Sequence, residues 1–162
     1  MTFTVNNNPP EGAKINAENV KKVMQEKGVY ITKNKGNSMY PMMLHQRGIA
    51  EIVPVTRPLK KYDIPLYMCD YKEDLVLHRI LKVRENDYII RGDNTFVYEY
   101  IPKENVVGVL RAFYKNGKRI DCATSKGFKI YSFFIIRVNF FRKVWVKGLR
   151  PFLSGIKHKI LK

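Results

Sequence analysis

The 162-residue sequence has little cysteine and no long apolar run, and both absences narrow the kinds of protein it can be. Its two cysteines, Cys69 and Cys122, are far apart and lack the spacing of a zinc site, a redox motif or a disulfide framework. We therefore expect no metal ion or other cofactor, and a reducing compartment. No uncharged apolar run reaches the roughly 18–20 residues of a transmembrane helix, so we expect no membrane-spanning segment.

The N-terminal residues also lack the apolar stretch of a signal peptide. Residues 1–12 are mostly polar, and the run NNNPP at positions 6–10 interrupts any apolar core. We expect a flexible lead-in over residues 1–13 and a cytoplasmic protein, which could be peripheral at the inner membrane surface.

Acidic residues are scarce, since 30 Lys and Arg outnumber 14 Asp and Glu and give a net charge of +16. Residues 126–162 contain ten basic residues and no acid, whereas residues 1–125 hold 20 basic and 14 acidic residues, a net +6. Such a charge implies an anionic partner, which could be a membrane surface, nucleic acid or an acidic substrate.

The residues that are present predict a mostly-β domain over residues 14–125. Residues 16–28 form a short amphipathic pattern that Asn16 can cap and Gly28 can end. Short β-branched and apolar runs follow, separated by turn signals, at residues 29–33, 48–55, 64–69, 75–84, 88–91, 106–114 and 119–122. Asn116-Gly117 between the last two runs is typical of a two-residue hairpin. This pattern favours a coiled antiparallel sheet or a pseudo-barrel.

The basic segment 126–162 is rich in aromatic residues and has two interpretations. It could be an interfacial anchor, with aromatic side chains at the headgroup level and cations on anionic lipid. It could instead pack on the β domain and expose a solvated basic face. On a helical wheel most cations fall on one side, but Phe133, Phe140 and Arg142 break the pattern.

A candidate nucleophile lies at residues 36–42, where the sequence GNSMYPM follows a strand-like run. Ser38 stands in a tight turn closed by a proline, and Gly36 two residues earlier permits a close backbone approach or a positive φ. Backbone N–H groups around Ser38, in a turn that includes Asn37 and Met39, can stabilise a developing oxyanion.

Two later stretches could be partners of Ser38: VLHRI at 76–80, which contains His78, and RGDN at 91–94. With residues 36–42 they resemble, in order and spacing, the nucleophile, general-base and Gly-Asp-Asn boxes of type I signal peptidases and LexA-like self-cleaving repressors. The resemblance covers about residues 29–114. It implies a LexA–signal peptidase type of fold and a serine peptidase that typically cuts after small residues in extended segments.

The proposed base is a histidine, whereas bacterial signal peptidases and the repressors use a lysine. His78 followed by Arg79 is similar to the endoplasmic-reticulum and archaeal enzymes, which the resemblance implies use Ser-His with an acid. Histidine needs no large pKa change to act near neutrality. An acid must orient His78, and both Glu99 and Asp93 are candidates; Asp93 could instead hold the turn in which it lies.

Other residues could take the same roles. His45 is an alternative base without a strand context, and Lys82 would recreate a Ser-Lys dyad because alternation places it on the face of His78. His158 lies in the basic segment and is expected in solvent. Arg79 is expected to be a cation on the opposite strand face.

The sequence therefore predicts a serine endopeptidase that cleaves a leader-like peptide, with Ser38 as nucleophile and His78 as general base. Its partners would be a peptide or protein substrate and an anionic membrane surface contacted through residues 126–162. A non-catalytic binding or regulatory protein and a self-cleaving LexA-like protein are the alternatives. We do not expect nucleic acid as a partner, because the single N-terminal helix is too little for a helix-turn-helix.

Overall fold

A computed structural model of the chain describes residues 16–44, 47–69 and 74–144. This part of the chain is mainly β, with two α-helices and antiparallel sheets, so the expected fold class is confirmed at that level. The elements follow in the order α1 (Ala17–Lys27), β1 (Tyr30–Lys33), β2 (Ile49–Val53), β3 (Pro65–Cys69), β4 (Asp74–Leu77), β5 (Arg79–Val83), β6 (Asp87–Arg91), β7 (Glu99–Pro102), β8 (Val106–Lys115), β9 (Lys118–Asp121) and α2 (Lys126–Val144), with a 3-10 turn at Lys103–Asn105.

Helix α1 is bounded by the two caps that the sequence predicts. The Asn16 side chain accepts a hydrogen bond from the Glu18 N–H at 3.1 Å, and Gly28, with φ 72°, donates its N–H to the Met24 carbonyl. Val20 and Met24 are buried against the larger sheet. The helix therefore covers one side of the core, and its polar residues remain outside.

The strands form two antiparallel sheets. The larger has the order β1-β2-β8-β3-β4, and β9 also pairs with β8; the smaller has the order β5-β6-β7. Strand β8 is ten residues long and pairs with β2, β3 and β9, which makes it the centre of the larger sheet. The predicted hairpin joins β8 to β9, where Asn116 and Gly117 both have positive φ.

The larger sheet does not close into a barrel in the described part of the chain, so the expectation is confirmed only as antiparallel sheets. Its end strands, β1 and β4, do not pair with each other in the described part of the chain. Residues of both strands nevertheless line the same cavity of about 620 Å³, together with Ser38 and His78. The two free edges of the sheet therefore face each other across a cleft.

Helix α2 covers the first half of the basic aromatic segment and packs on the domain with one face. Ser132 and Ile135 are buried, and Phe128 and Tyr131 pack against the core. Their spacing of three and four residues is that of one helical face. None of the helices that the structure describes has the length and apolar character needed to cross a membrane.

Candidate active site

Ser38 lies in the turn that follows β1, and buried methionines hold this turn in place. Met39, Met42 and Met43 are almost completely buried, and the Met43 N–H donates to the Met39 carbonyl at 3.0 Å. Ser38 itself is partly exposed and lines the cleft. The apolar residues of the turn thus anchor it in the core and leave the serine at the surface of the cavity.

Two backbone amide groups around Ser38 make no hydrogen bond in the described part of the chain. Within the described residues, the N–H groups of Ser38 and Met39 have no hydrogen-bond acceptor. One hydrogen bond closes the turn: the Asn37 carbonyl accepts from the Tyr40 N–H at 3.1 Å. Gly36 has φ 159°, a conformation that L side chains rarely adopt, and nothing lies within 4 Å of the position of a Cβ there. Backbone conformation, rather than close contact, therefore accounts for this glycine.

His78 lies where the chain leaves the larger sheet and enters the smaller one. Leu77 ends β4 and Arg79 begins β5, so the strand predicted over residues 75–84 is two strands with His78 between them. The start of β5 is fixed by the Ile80 N–H, which donates to the Asp63 carbonyl at 2.8 Å. His78 is only 3% exposed, and it lines the cleft that also contains Ser38.

Gly92 brings Ser38 and His78 together. A Cβ at Gly92 would lie 3.0 Å from the Ser38 Cβ, 3.1 Å from His78 Nε2 and 2.7 Å from the Ser38 carbonyl oxygen. Because no side chain fits at this distance, only glycine allows the three segments to meet here. The Ser38 hydroxyl has no hydrogen-bond partner among the described residues, so Ser38 and His78 are neighbours that are not yet hydrogen-bonded.

The turn after Gly92 also holds the backbone of the serine turn. The Asn94 N–H donates to the Ser38 carbonyl at 2.7 Å, and the Asn94 side-chain amide donates to the Asn37 carbonyl at 3.2 Å. These bonds tie the two turns together at the residue before Ser38 and at Ser38 itself. Residues 92 and 94 of the predicted Gly-Asp-Asn box therefore fix where the serine lies.

Glu99, on β7, and Tyr67, on β3, hold the far nitrogen of His78. His78 Nδ1 is 3.1 Å from Glu99 Oε1 and 3.1 Å from the Tyr67 hydroxyl, which donates to Glu99 Oε2 at 2.5 Å. Since the Tyr67 proton is used on Glu99, both neighbours of Nδ1 are acceptors. The hydrogen-bond network thus assigns the proton of the neutral ring to Nδ1 and leaves the Nε2 lone pair facing Gly92 and Ser38.

Asp93 is bonded to Arg79 and not to His78. Its two oxygens accept from Arg79 Nε and Nη2, both at 2.7 Å, and the Tyr131 hydroxyl donates to the same carboxylate at 3.0 Å. Arg79 Nη1 donates to the Ser132 hydroxyl at 2.7 Å. Burial, with Asp93 nearby, raises the pKa of Tyr131, so this hydroxyl stays protonated and remains a donor.

This cluster corrects one sequence-based expectation and separates the two candidate acids. Arg79 was expected on an outer strand face, but its side chain is completely buried, because the chain turns from one sheet into the other at His78. Two carboxylates could orient His78. Glu99 contacts His78, whereas Asp93 forms an ion pair with the buried Arg79 side chain.

The structure does not place the other candidate residues, Lys82, His45 and His158, in the described part of the cleft. Lys82 is exposed and is absent from the lining of the cavity, because an irregularity between Ile80 and Lys82 shifts the alternation of β5. His45 and His158 lie outside the described residues.

Sequence reasoning missed three residues that shape the site: Tyr67, Gly92 as the point of closest approach, and Asn94 as a clamp. A tyrosine in the otherwise apolar buried strand PLYMC carries a signal, since a buried hydroxyl needs a partner. The other two residues depend on contacts between distant turns, which the sequence does not display.

The arrangement can perform nucleophilic chemistry on an extended ligand. It combines a hydroxyl, an imidazole with a fixed tautomer and free backbone amides at one end of a cleft bordered by two strand edges. The described residues contain no group of three or more His, Cys, Asp or Glu side chains that could hold a metal ion. No protein-family model and no curated protein sequence matches this chain.

Proposed function

We propose that this protein is a serine endopeptidase in which Ser38 is the nucleophile, His78 the general base and Glu99 the residue that orients His78. The observation that carries the proposal is the pairing of two contacts on one imidazole. Nε2 lies beside Ser38 at the Gly92 crossing, while Nδ1 is held by Glu99 and Tyr67. A histidine with a purely structural role does not require an unbonded Nε2 close to a serine whose hydroxyl is also unbonded.

In the proposed reaction, Ser38 Oγ attacks the carbonyl carbon of a peptide bond as His78 Nε2 accepts its proton. Glu99 stabilises the imidazolium, and the amides of Ser38 and Met39 donate to the oxyanion. Collapse of the intermediate transfers the proton to the leaving amine and forms an ester on Ser38. Water, activated by the same nitrogen, hydrolyses the ester and restores the serine. The hydrogen bond between Oγ and Nε2 forms as the substrate closes the site, as catalytic hydrogen bonds commonly tighten on binding.

The substrate would be an extended peptide segment. β1 and β4 each present a free edge to the cleft, and an added strand can bond to such an edge through its backbone. The sequence resemblance, which implies a LexA–signal peptidase type of fold, supports the same mode of binding. The same resemblance favours small residues before the cleaved bond and a leader-like peptide as the substrate.

The test is cleavage of a mixture of unstructured peptides, read by mass spectrometry, with the wild type, Ser38→Ala and His78→Ala. We expect discrete cleavage sites with the wild type and a loss of at least about a thousandfold in rate with either variant. Ser125→Ala, which removes a hydroxyl outside the cleft, is the matched control and should keep full activity. Cleavage by Ser38→Ala at the wild-type rate would exclude this mechanism.

A further inference from the structure

Helix α2 carries apolar residues on two sides, one that packs on the domain and one that is exposed. The other face carries Ile130, Phe134, Val138 and Phe141, spaced by four, four and three residues, which places them on one side of the helix. These four side chains, called here the outer stripe, are 59%, 56%, 46% and 69% exposed. A row of large exposed side chains of this kind marks an interaction surface.

Basic residues border the outer stripe, and the helix contains no acid. Lys126 and Lys129 lie in its first turn, and Arg137 lies over the Phe133 ring at 3.5 Å and donates to the Phe133 carbonyl at 2.9 Å. The sequence continues with seven more basic residues, and no acidic residue follows Asp121. The charged side chains of α2 that the structure describes are therefore all cations.

A second basic surface lies beside the same helix. A cavity of about 570 Å³ separates α2 from the connector before β3, and its lining includes Lys60, Lys61, Lys129 and Phe133. None of the three lysines has an ion pair among the described residues. Lysines that come from separate parts of the chain, together with Asp63, thus line one cavity on the side of α2 that carries Lys129 and Phe133.

We propose that the outer stripe inserts into the surface of an anionic lipid bilayer, with Lys126 and Arg137, which border it, at the level of the lipid headgroups. Apolar and aromatic side chains bordered by cations match the two layers of a membrane interface. A nucleic acid would leave the four apolar side chains exposed to water. A second copy of the chain would bring together two surfaces of the same charge.

Membrane binding by this surface would fix the position of the candidate active site relative to the lipid. On the inner face of α2, Tyr131 bonds to Asp93 and Ser132 bonds to Arg79. Asp93 follows Gly92 and Arg79 follows His78, so the helix is joined to both turns of the site. A peptide that enters the cleft would then be held at a set distance from the bilayer.

The proposal is tested by co-sedimentation of the full chain with vesicles of phosphatidylcholine, pure or with about a third of phosphatidylserine. We expect binding to the anionic vesicles and little to the neutral ones. In Phe134→Ser/Phe141→Ser the partition coefficient should fall by about tenfold or more for each substitution, since each removes a large apolar side chain from the lipid. Val55→Ser/Val83→Ser, which changes two exposed valines elsewhere, should bind as the wild type does.

Three results would overturn the proposal. The first is no binding of the wild type to anionic vesicles, and the second is equal binding by the Phe134→Ser/Phe141→Ser variant, which would show that binding depends on charge alone. The third is that this variant loses self-association and keeps its binding to vesicles. Far-ultraviolet circular dichroism checks that both double variants are folded. Ser38→Ala should bind vesicles like the wild type, so the result does not depend on the proposed catalysis.

Discussion

The neighbouring residues His78 and Arg79 each contact a buried carboxylate, but the two pairs have different surroundings. His78 and Glu99 lie at the cleft, with Tyr67 as a third member, and one imidazole nitrogen remains open toward Ser38. Arg79 and Asp93 lie inside the protein, where Tyr131 and Ser132 supply further bonds to the pair.

The difference between these clusters shows that two adjacent residues can have different roles because their surroundings differ. In the His78 cluster the Nε2 nitrogen remains able to accept a proton, and for this reason we propose a catalytic role for this cluster. In the Arg79 cluster both carboxylate oxygens accept from the guanidinium, which makes a rigid two-point contact suited to holding the turns in place. The two assignments can be tested separately, because an amide can replace each carboxylate with little change in size.

The largest effect is expected for Glu99→Gln, on activity. A glutamine amide can donate to His78 Nδ1, which would move the ring proton to Nε2 and prevent it from accepting the Ser38 proton. We expect kcat/KM to fall by about 10³–10⁴-fold, while the free energy of unfolding changes by about 1 kcal/mol or less. Peptide cleavage and urea denaturation measure the two quantities. Full activity in Glu99→Gln would show that the contact with His78 is not used in catalysis.

Asp93→Asn should have the opposite profile, with its main effect on stability. The substitution leaves the completely buried Arg79 without its anionic partner, and breaking a buried pair in this way costs about 3–5 kcal/mol of unfolding free energy. Asp87→Asn, which breaks the exposed contact with Arg84, is the matched control and should shift the urea midpoint far less.

If Asp93→Asn does not fold, Arg79→Met/Asp93→Asn removes the unpaired charge and should recover part of the stability. A stable Asp93→Asn variant with greatly reduced kcat/KM would contradict the comparison, because it would place Asp93 in the chemistry.

The smallest effect is expected at Glu51, a third carboxylate whose cationic partners are partly exposed. Hydrogen bonds from Arg119, together with those from Arg111 and Tyr114, lower the pKa of Glu51 from 4.5 to about 2. Since its folded-state pKa is depressed, Glu51 stabilises the protein above about pH 4.5, and this contribution is lost as the pH falls toward 2. Solvent screening at the arginines limits it to about 1 kcal/mol.

Urea denaturation of Glu51→Gln and of the wild type at pH 7 and near pH 2 measures this contribution. The midpoints should differ at pH 7 and converge in acid. A difference that is the same at both pH values would mean that the Glu51 charge does not contribute to stability.

Local patterns in the sequence were sufficient for the features that depend on neighbours along the chain. The caps of α1 and the Asn116-Gly117 hairpin are set by residues within a few positions of one another. The order of the three motifs also placed Ser38, His78 and residues 91–94 as candidates for one site, and the structure brings Ser38 and His78 to one cleft, with Gly92 close to both.

What could not be predicted depends on how the two sheets meet. The apolar run 75–84 has the pattern of one strand, and nothing in it marks the change of sheet at His78. Asp93 lies in the turn and Glu99 a few residues after it, and only contacts with distant residues, Arg79 for Asp93 and Tyr67 for Glu99, separate their roles. Strand β7 was missed because its sequence, EYIP, is short and ends in proline.

The open cleft between β1 and β4 has a consequence for when a protein could be cut. The backbone of an interior strand in a folded sheet is already paired on both sides, and it cannot also bond to these edges. A folded protein keeps free backbone groups mainly at edge strands and loops, whereas chain that has not yet folded, or that never folds, presents them along its whole length. The folding state of the substrate, as well as its sequence, would then decide whether such a peptidase can cleave it. Folding of the substrate would end the period during which it can be cleaved.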